Sequence, residues 1–365
     1  MSENQPLKST TINRIHHEMG ALMAPFGGWD MPIQYEGIIA EHRWCREKAA
    51  LFDICHMGEF MFRGDVESSG LEDMFTFSVK SIPVGRSKYG FLLNDRGGVI
   101  DDLIVFRIAQ DEVMIVVNAA TAPNDFSVIS SRLTGGDFSD VSEVTGKLDL
   151  QGPLSRDVIA GLLGDAVKGI PYFRFERMKV LGVDAIVSRT GYTGELGYEI
   201  FLPSASVSEL WERLLEDLRV KPAGLGARDV LRLEVGYSLY GSDIDESTTP
   251  LEAGLAPFVN MEKSFVGKNA LLEQQKSGLS RTRVAFRVNS RRTPRHGFGI
   301  FSGDSRVGDV TSGVFSPMLG CGIGIGFVKP GFDTPGSIIT ISHERTVMEA
   351  SVCGLPFYTG GSLRN

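Results

Sequence analysis

Helical periodicity stops near Arg281, and nothing downstream restores it. The runs Arg283–Val288 and Ile338–Ile341 are short and β-like, separated by turns rich in glycine, so this part of the chain has to bury its apolar side chains by pairing strands. A separate all-β C-terminal domain is expected. The run Gly320-Cys-Gly-Ile-Gly-Ile-Gly326 lies inside it. Its glycines have the look of a nucleotide loop, but neither a βαβ unit nor the downstream acid is there, and the run reads as β structure.

Upstream, helices and strands alternate, which makes the whole an α+β protein. Residues 36–48 read as a helix, followed by a strand over Glu59–Gly64. Tyr89–Asn94 and Val99–Ile108 flank Asp95-Arg-Gly-Gly98, and Val113–Val117 follows a short polar turn, the pattern of an antiparallel meander. Val183–Arg189 reads as a strand. Val207, Leu210, Trp211, Leu214, Leu215 and Leu218 fall on one face of a helix, with Ser206 and Glu209 at capping-box spacing.

At 365 residues, 42% hydrophobic and 22% charged, the chain is long enough for two or three domains with sizeable cores. A formal charge of -8 argues against a nucleic-acid surface. No stretch reaches the roughly 18 apolar residues of a membrane span. Met1 to Gly20 has neither the apolar run of a secretory signal nor the Arg/Ser-rich character of a transit peptide, so a cytoplasmic location is expected. Cys45, Cys55, Cys321 and Cys353 lack CxxC spacing and are expected to be reduced.

Three glycine-rich segments deliver charged side chains. Gly97-Gly-Val-Ile leads to Asp101 and Asp102, Arg189-Thr-Gly-Tyr-Thr-Gly-Glu-Leu-Gly-Tyr leads to Glu199, and Gly224-Leu-Gly-Ala leads to Arg228 and Asp229. Glycine lets a backbone approach a flat ligand closely. Adjacent residues of a strand face opposite ways, so one of Asp101 and Asp102 can enter a cleft, although the motif alone favours both simply decorating a hairpin. Glu199 can accept two parallel hydrogen bonds from an amidine-like edge, or sit exposed on a strand. Arg228 can offer a planar fork to a carboxylate or ring oxygen, or pair with an acid at a helix start. Asp53-Ile-Cys55-His56 has no second His/Cys pair at ligand spacing, so it reads as packed core, and no metal site is expected. His16-His17 reads as an exposed polar pair.

Together these segments resemble the glycine cleavage T-protein family of tetrahydrofolate-dependent aminomethyltransferases. The resemblance runs from Phe26-Gly-Gly-Trp-Asp-Met-Pro32 through Leu51-Phe-Asp-Ile-Cys-His-Met57, the Gly97 and Gly191 segments, Leu150-Gln-Gly-Pro153 and Gly224-Leu-Gly-Ala-Arg-Asp229. It continues through Leu239-Tyr-Gly241, Thr249-Pro-Leu-Glu-Ala-Gly254, Pro294-Arg-His-Gly297 and Phe315-Ser-Pro317. The resemblance implies three domains in a cloverleaf around a folate channel, with mostly antiparallel sheets and flanking helices. Residues 1–50, 141–172 and 222–272 would form the first domain, 51–140 and 173–221 the second, and 273–365 a distorted jelly roll. It also implies a catalytic Asp101, a pterin-binding Glu199 and a folate-fixing Arg228, with Tyr89, Asn118, Tyr192, Tyr240, Arg295 and Tyr358 lining the channel. Two departures are visible: Cys55 stands where the family usually has serine, and the tail after Phe357 is Gly-rich without the common basic ending.

The activity so implied moves the methylene of an aminomethyl group, carried on the lipoyl arm of the H protein, to tetrahydrofolate, and releases ammonia. The P and L proteins are functional associates. An ionised Asp101 would stabilise the developing positive charge. A folate-dependent demethylase acting on a small amine or sulfonium would share the same residues. A noncatalytic folate-binding maintenance factor for iron-sulfur proteins typically carries Lys-Gly-Cys-Tyr-x-Gly-Gln-Glu, whereas this chain reads Thr190-Gly-Tyr-Thr-Gly-Glu-Leu-Gly.

Overall fold

A computed structural model describes residues 6–364; the first five residues of the expected first domain and the last of the third lie outside the described residues. The expected meander forms. Ser87–Leu93 pairs with Val99–Ala109, which pairs with Glu112–Val117, and Gly58–Arg63 and Asp137–Asp140 extend this into a five-stranded antiparallel sheet. One face carries Phe60, Phe62, Val105 and Ile115, and Ile129 of the helix Ala122–Arg132 packs on it. Alternation of apolar residues along the strands is what makes that face continuous.

A six-stranded sheet stands beside it, in the order Phe175–Val180, Val183–Ser188, Gly197–Pro203, Thr145–Gln151, Ala49–Asp53, Val220–Pro222, antiparallel except for the last pair. All five residues of Ala49–Asp53 are buried, because helices cover both faces. Leu210, Trp211 and Leu214 of the helix Val207–Leu215 and Ile159 of Ser155–Leu163 pack against Leu148, Leu150 and Ile200; Ala227 and Leu231 of Leu225–Glu234 pack against Ala50 and Phe52.

The strands of residues 173–221 share a sheet with Thr145–Gln151 and Ala49–Asp53. Of them, Gly197–Pro203 hydrogen-bonds to Thr145–Gln151, with Leu148 opposite Ile200 and Leu150 opposite Tyr198, Val183–Ser188 pairs with Gly197–Pro203, and a single bridge of Arg86 with Arg174 links this sheet to the five-stranded one. Continuity in sequence does not set sheet membership; the matching apolar rows do. The two sheets still meet through an aromatic cluster of Phe106, Phe175 and Phe201.

The C-terminal all-β region is a closed barrel of six antiparallel strands, Thr282–Val288, Gly299–Ser302, Ser305–Ser316, Cys321–Val328, Ile338–His343 and Thr346–Cys353. Val284, Phe286, Ile300, Ile341 and Met348 fill its interior, and the Gly320–Gly326 run supplies one of its strands. Two local expectations are corrected. His16 is buried: its Nε2 lies 2.9 Å from Asp53 Oδ2 and its Nδ1 2.8 Å from the Tyr35 hydroxyl, while its neighbour His17 is exposed. Adjacent residues of a helix, here Asn13–Glu18, point about 100° apart, so the pair divides between core and solvent. Ser206 makes no side-chain cap, since a single turn Ser204–Ser206 precedes the helix and the Val207 N–H already donates to the Ser204 carbonyl; Leu218 lies past the helix end and is exposed.

Candidate active site

The acidic hairpin is shaped by its turn. Asn94 Oδ1 accepts from the Arg96 and Gly98 amides at 3.0 Å, and a Cβ on Gly98 would sit 1.9 Å from the Glu246 carbonyl oxygen, so only glycine fits there. The pairing then slips: Leu93 faces Val99 while Leu92 faces Asp101, leaving Ile100 as a bulge. A bulge re-aims the side chains next to it. Both acids after it converge on Asn118. Its backbone N–H donates to Asp101 Oδ2 at 2.9 Å, and its Nδ2 lies 2.8 Å from Asp101 Oδ1 and 2.9 Å from Asp102 Oδ1. The Tyr89 hydroxyl donates to Asp102 Oδ2 at 3.0 Å, and its ring meets Phe258 edge-on at 4.9 Å.

Asp101 is completely buried. Burial, and after it the neighbouring acids Asp125 and Asp102, with which it competes for protons, raise its carboxyl above the usual carboxylate range. Burial raises Asp102 to about 6, against the hydrogen bonds from Tyr89 and Asn118 that favour its anion. Elsewhere Asp149, Glu199 and Asp243 each have a cation within ion-pairing distance. Among the described residues, no such pair forms at Asp101, Asp102 or Asp125. Tyr240 packs against the same apolar cluster as Tyr89, and after burial the Asp101 charge is the main influence raising its hydroxyl.

The second wall stands on the central strand Thr145–Gln151, where Lys147, Asp149 and Gln151 are all buried. Asp149 lies opposite Glu199 in the ladder. Glu199 accepts from the Thr190 hydroxyl, and Lys147 Nζ sits 3.4 Å from its Oε1 and 4.9 Å from the Phe201 ring centre. Arg228 Nη1 pairs with Asp149 Oδ2, and Gln151 Nε2 donates to Oδ1. Burial lifts Asp149 to about 6, with Arg228 opposing the rise. Arg228 rides on the first turn of Leu225–Glu234, whose N-cap Gly224 lies so close to Ile33 that a Cβ would be 2.3 Å from its carbonyl carbon. The guanidinium lies over Tyr192 at 5.1 Å and Phe52 at 5.7 Å. Tyr192 in turn stacks on Tyr237 at 5.7 Å and donates its hydroxyl to the Ser238 carbonyl.

Asp101, Asn118, Tyr89 and Tyr240 therefore form one group, and Glu199, Arg228 and Tyr192 another. Burial is the main influence on the Tyr192 hydroxyl, followed by the Arg232 charge and then by the charge of Asp102 from the first group. Two expected residues lie elsewhere. Arg295 is exposed on the barrel, in a groove of about 450 Å³ lined by Arg292, Thr293, Phe298, Arg345, Thr346 and Met348. Tyr358 lies over Arg46 at 4.6 Å, where Arg46 pairs with Glu195 and Glu234 at 2.7 Å each. Arg46 Nη1 also donates to the Thr193 carbonyl at 2.7 Å, so Tyr358 supports the Gly-rich loop from behind. Cys55 keeps a polar role despite replacing a hydroxyl, its thiol donating to the Lys147 carbonyl at 3.3 Å. Asp149, Lys147 and Asp125 are not among the residues that the sequence motifs single out. For the first two the signal was there: polar residues at every second position of an otherwise apolar strand share one face.

A family model described as the GCVT N-terminal domain matches residues 12–263, and one described as the glycine cleavage T-protein C-terminal barrel domain matches 281–359. A curated aminomethyltransferase of Halothermothrix orenii is 42% identical over 358 residues, covering 96% of this chain and 100% of the relative. One of Thermotoga maritima is 39% identical over 363 residues, covering 98% and 100%. The crystal structure of the glycine cleavage system aminomethyltransferase T from Bartonella henselae superposes with a TM-score of 0.92 at 35% identity, covering 98% of this chain and 99% of that one.

Proposed function

The chain belongs to the glycine cleavage T-protein family and is an aminomethyltransferase, and we propose that its acceptor is tetrahydrofolate and its donor the aminomethyl-lipoyl arm of the H protein. The observation that carries this reading is the acid group around Asp101, buried without a paired cation. Such a pocket is unfavourable when empty of positive charge and favourable when positive charge develops inside it. A secondary amine of the folate would attack the aminomethyl carbon as ammonia leaves, through iminium-like cationic character, and a second folate nitrogen would then close on the same carbon as its C–S bond breaks, the lipoyl sulfur leaving as the dihydrolipoyl thiol.

The residues of the second wall fit a pterin. Lys147 and Thr190 fix the Glu199 carboxylate, so its orientation is set before a ligand arrives. Asp149 does the same for Arg228, whose side chain keeps 13% exposure on an otherwise buried wall and so can still be reached. Tyr192 and Tyr89 offer aromatic surface beside these polar groups. Holding acceptor and donor in one place converts an encounter between two bulky partners into a local reaction. Asn118 holds Asp101 toward the reacting centre, and Tyr89 holds Asp102. This reading carries with it the P and L proteins as functional associates and a cytoplasmic setting.

The test is ammonia release from aminomethylated, lipoylated H protein with and without tetrahydrofolate, repeated with Asp101→Asn. Folate should stimulate release, and the variant should lose on the order of 10²–10³ in turnover with a much smaller change in folate affinity. If folate binds but stimulates nothing, the weight moves to a demethylase acting on a small amine or sulfonium, or to a noncatalytic folate-binding protein. Equal losses of turnover and affinity would remove Asp101 from the role given to it.

A further inference from the structure

Beside Asp101 lies a second carboxyl that the reading above leaves without a task. Asp125 occupies the first turn of the helix Ala122–Arg132, reached through a tight turn in which the Ala122 amide donates to the Asn118 carbonyl at 3.0 Å and the Asp125 amide to that of Thr121 at 2.9 Å. That turn sets Asn118 and Asp125 on the same side of Asp101. Asp125 is completely buried, and neither of its carboxyl oxygens makes a hydrogen bond of good geometry, although the Thr121 hydroxyl and the Asp101 carboxyl are its neighbours. The groups facing it are Asp101 and Asp102 from the long strand, Glu246 from the turn that covers Gly98, and the Tyr240 hydroxyl. All the carboxyls among them carry the same sign of charge.

Two neighbouring buried carboxyls without a counter-cation do not both ionise near neutral pH; one proton is retained between them. Burial raises both. Which one holds the proton is decided by donors. Asp101 accepts two hydrogen bonds from Asn118, at 2.9 and 2.8 Å, and these favour its anion. Neither oxygen of Asp125 has a hydrogen-bond partner, because the Thr121 hydroxyl beside it is spent on the Asn118 carbonyl at 3.1 Å, and the neutral form of Asp125 avoids an unsatisfied buried charge.

We propose that Asp125 is a positioning residue that holds the shared proton, so that Asp101 stays ionised toward the reacting centre while buried among other acids. The inference rests on the transferase reading. A proton held on Asp125 leaves the pair with a single negative charge, located where positive charge develops, and the Asp125 hydroxyl is left to donate toward Asp101. Loss of the second proton above neutrality, or gain of one below, takes the pair out of this state, so turnover should titrate on both sides.

Asp125→Asn is a neutral isostere of the protonated residue. In the full chain with lipoylated H protein, the variant should keep turnover within about tenfold of the natural protein near pH 7, far above Asp101→Asn, and lose the alkaline titration of kcat/KM while keeping the acidic one. Retention of both titrations would overturn the proposal, and so would a fall in turnover to the level of Asp101→Asn in a variant with an unchanged circular dichroism spectrum. Should the variant fail to fold, the natural protein decides: with carboxyl-labelled aspartate, isotope-edited infrared spectra at pH 7 should show the carbonyl stretch of a protonated aspartyl group that disappears on alkaline titration. Its absence would overturn the inference. If the natural protein transfers nothing from the H protein yet shows that signal, it is the transferase reading that has failed, and not the shared proton.

Discussion

Replacing Arg228 by leucine should cost stability in a way that depends on pH, because the ion pair it breaks has a partner that titrates. Asp149 is completely buried, and its carboxyl is pushed up to about 6 from 3.8 even with Arg228 beside it. At about 1.4 kcal/mol per unit, that rise of about two units means the natural protein gives up about 3 kcal/mol on this group as pH climbs from about 4 to 8. The sign follows from proton binding. The folded state holds the proton more tightly than the unfolded chain, so the stabilisation is full below the unfolded value and is lost as pH rises through the folded one. Without the guanidinium the folded value rises further. Near pH 5 the carboxyl is already mostly neutral, and Arg228→Leu removes little more than a hydrogen bond, about 1 kcal/mol. Near pH 8 it strands a buried charge or forces a costly protonation, about 3–5 kcal/mol. Urea unfolding followed by tryptophan fluorescence at the two pH values measures the difference. Adding Asp149→Asn to Arg228→Leu should recover most of the loss at pH 8. An equal loss at both pH values, or a double variant as unstable as the single one, would show that Arg228 acts by packing on Tyr192 and Phe52 and not through the pair.

Glu199→Ala should weaken tetrahydrofolate binding about 10- to 100-fold, the loss of one or two charge-assisted hydrogen bonds, read by direct titration of ligand fluorescence. Unchanged affinity would remove Glu199 from the pterin site. Arg295→Ala should leave that affinity within about twofold, since the side chain sits in a barrel groove that shares no lining residue with the two acid-bearing walls; a tenfold loss would put it in the channel after all.

Local structure was legible wherever one period dominated. The meander over 87–117 and the helix carrying Leu210, Trp211 and Leu214 follow from spacing alone, and so does the change to strands after Arg281. What stayed hidden depended on residues far apart in the chain. Nothing near Phe175–Ser188 says that its strands belong to the sheet of Thr145–Gln151, which they reach through Gly197–Pro203, because the matching rows lie on another segment. His16 looks like half of a polar pair until Asp53 and Tyr35 are brought to it. Asp101, Glu199 and Arg228 stood out because glycines precede them. Asp149 was passed over inside an apolar strand, and Asp125, at the start of an ordinary amphipathic helix, carries no local mark that it will end beside Asp101.

The order of strands in the six-stranded sheet bears on how the chain assembles as it is made. Its inner strand Ala49–Asp53 is bordered on one side by Thr145–Gln151 and on the other by Val220–Pro222, so a segment emerging early waits for both partners. The five-stranded sheet, by contrast, is encoded wholly between Asp53 and Thr145 and can close first, and the barrel, encoded last, can close after everything else. Until Pro222 leaves the ribosome, Ala49-Ala-Leu-Phe-Asp53 is an apolar strand with at least one open edge, the kind of segment that pairs with other chains when synthesis outruns folding. The vulnerable period of this protein's life thus falls in the middle of its translation and ends when a three-residue strand docks.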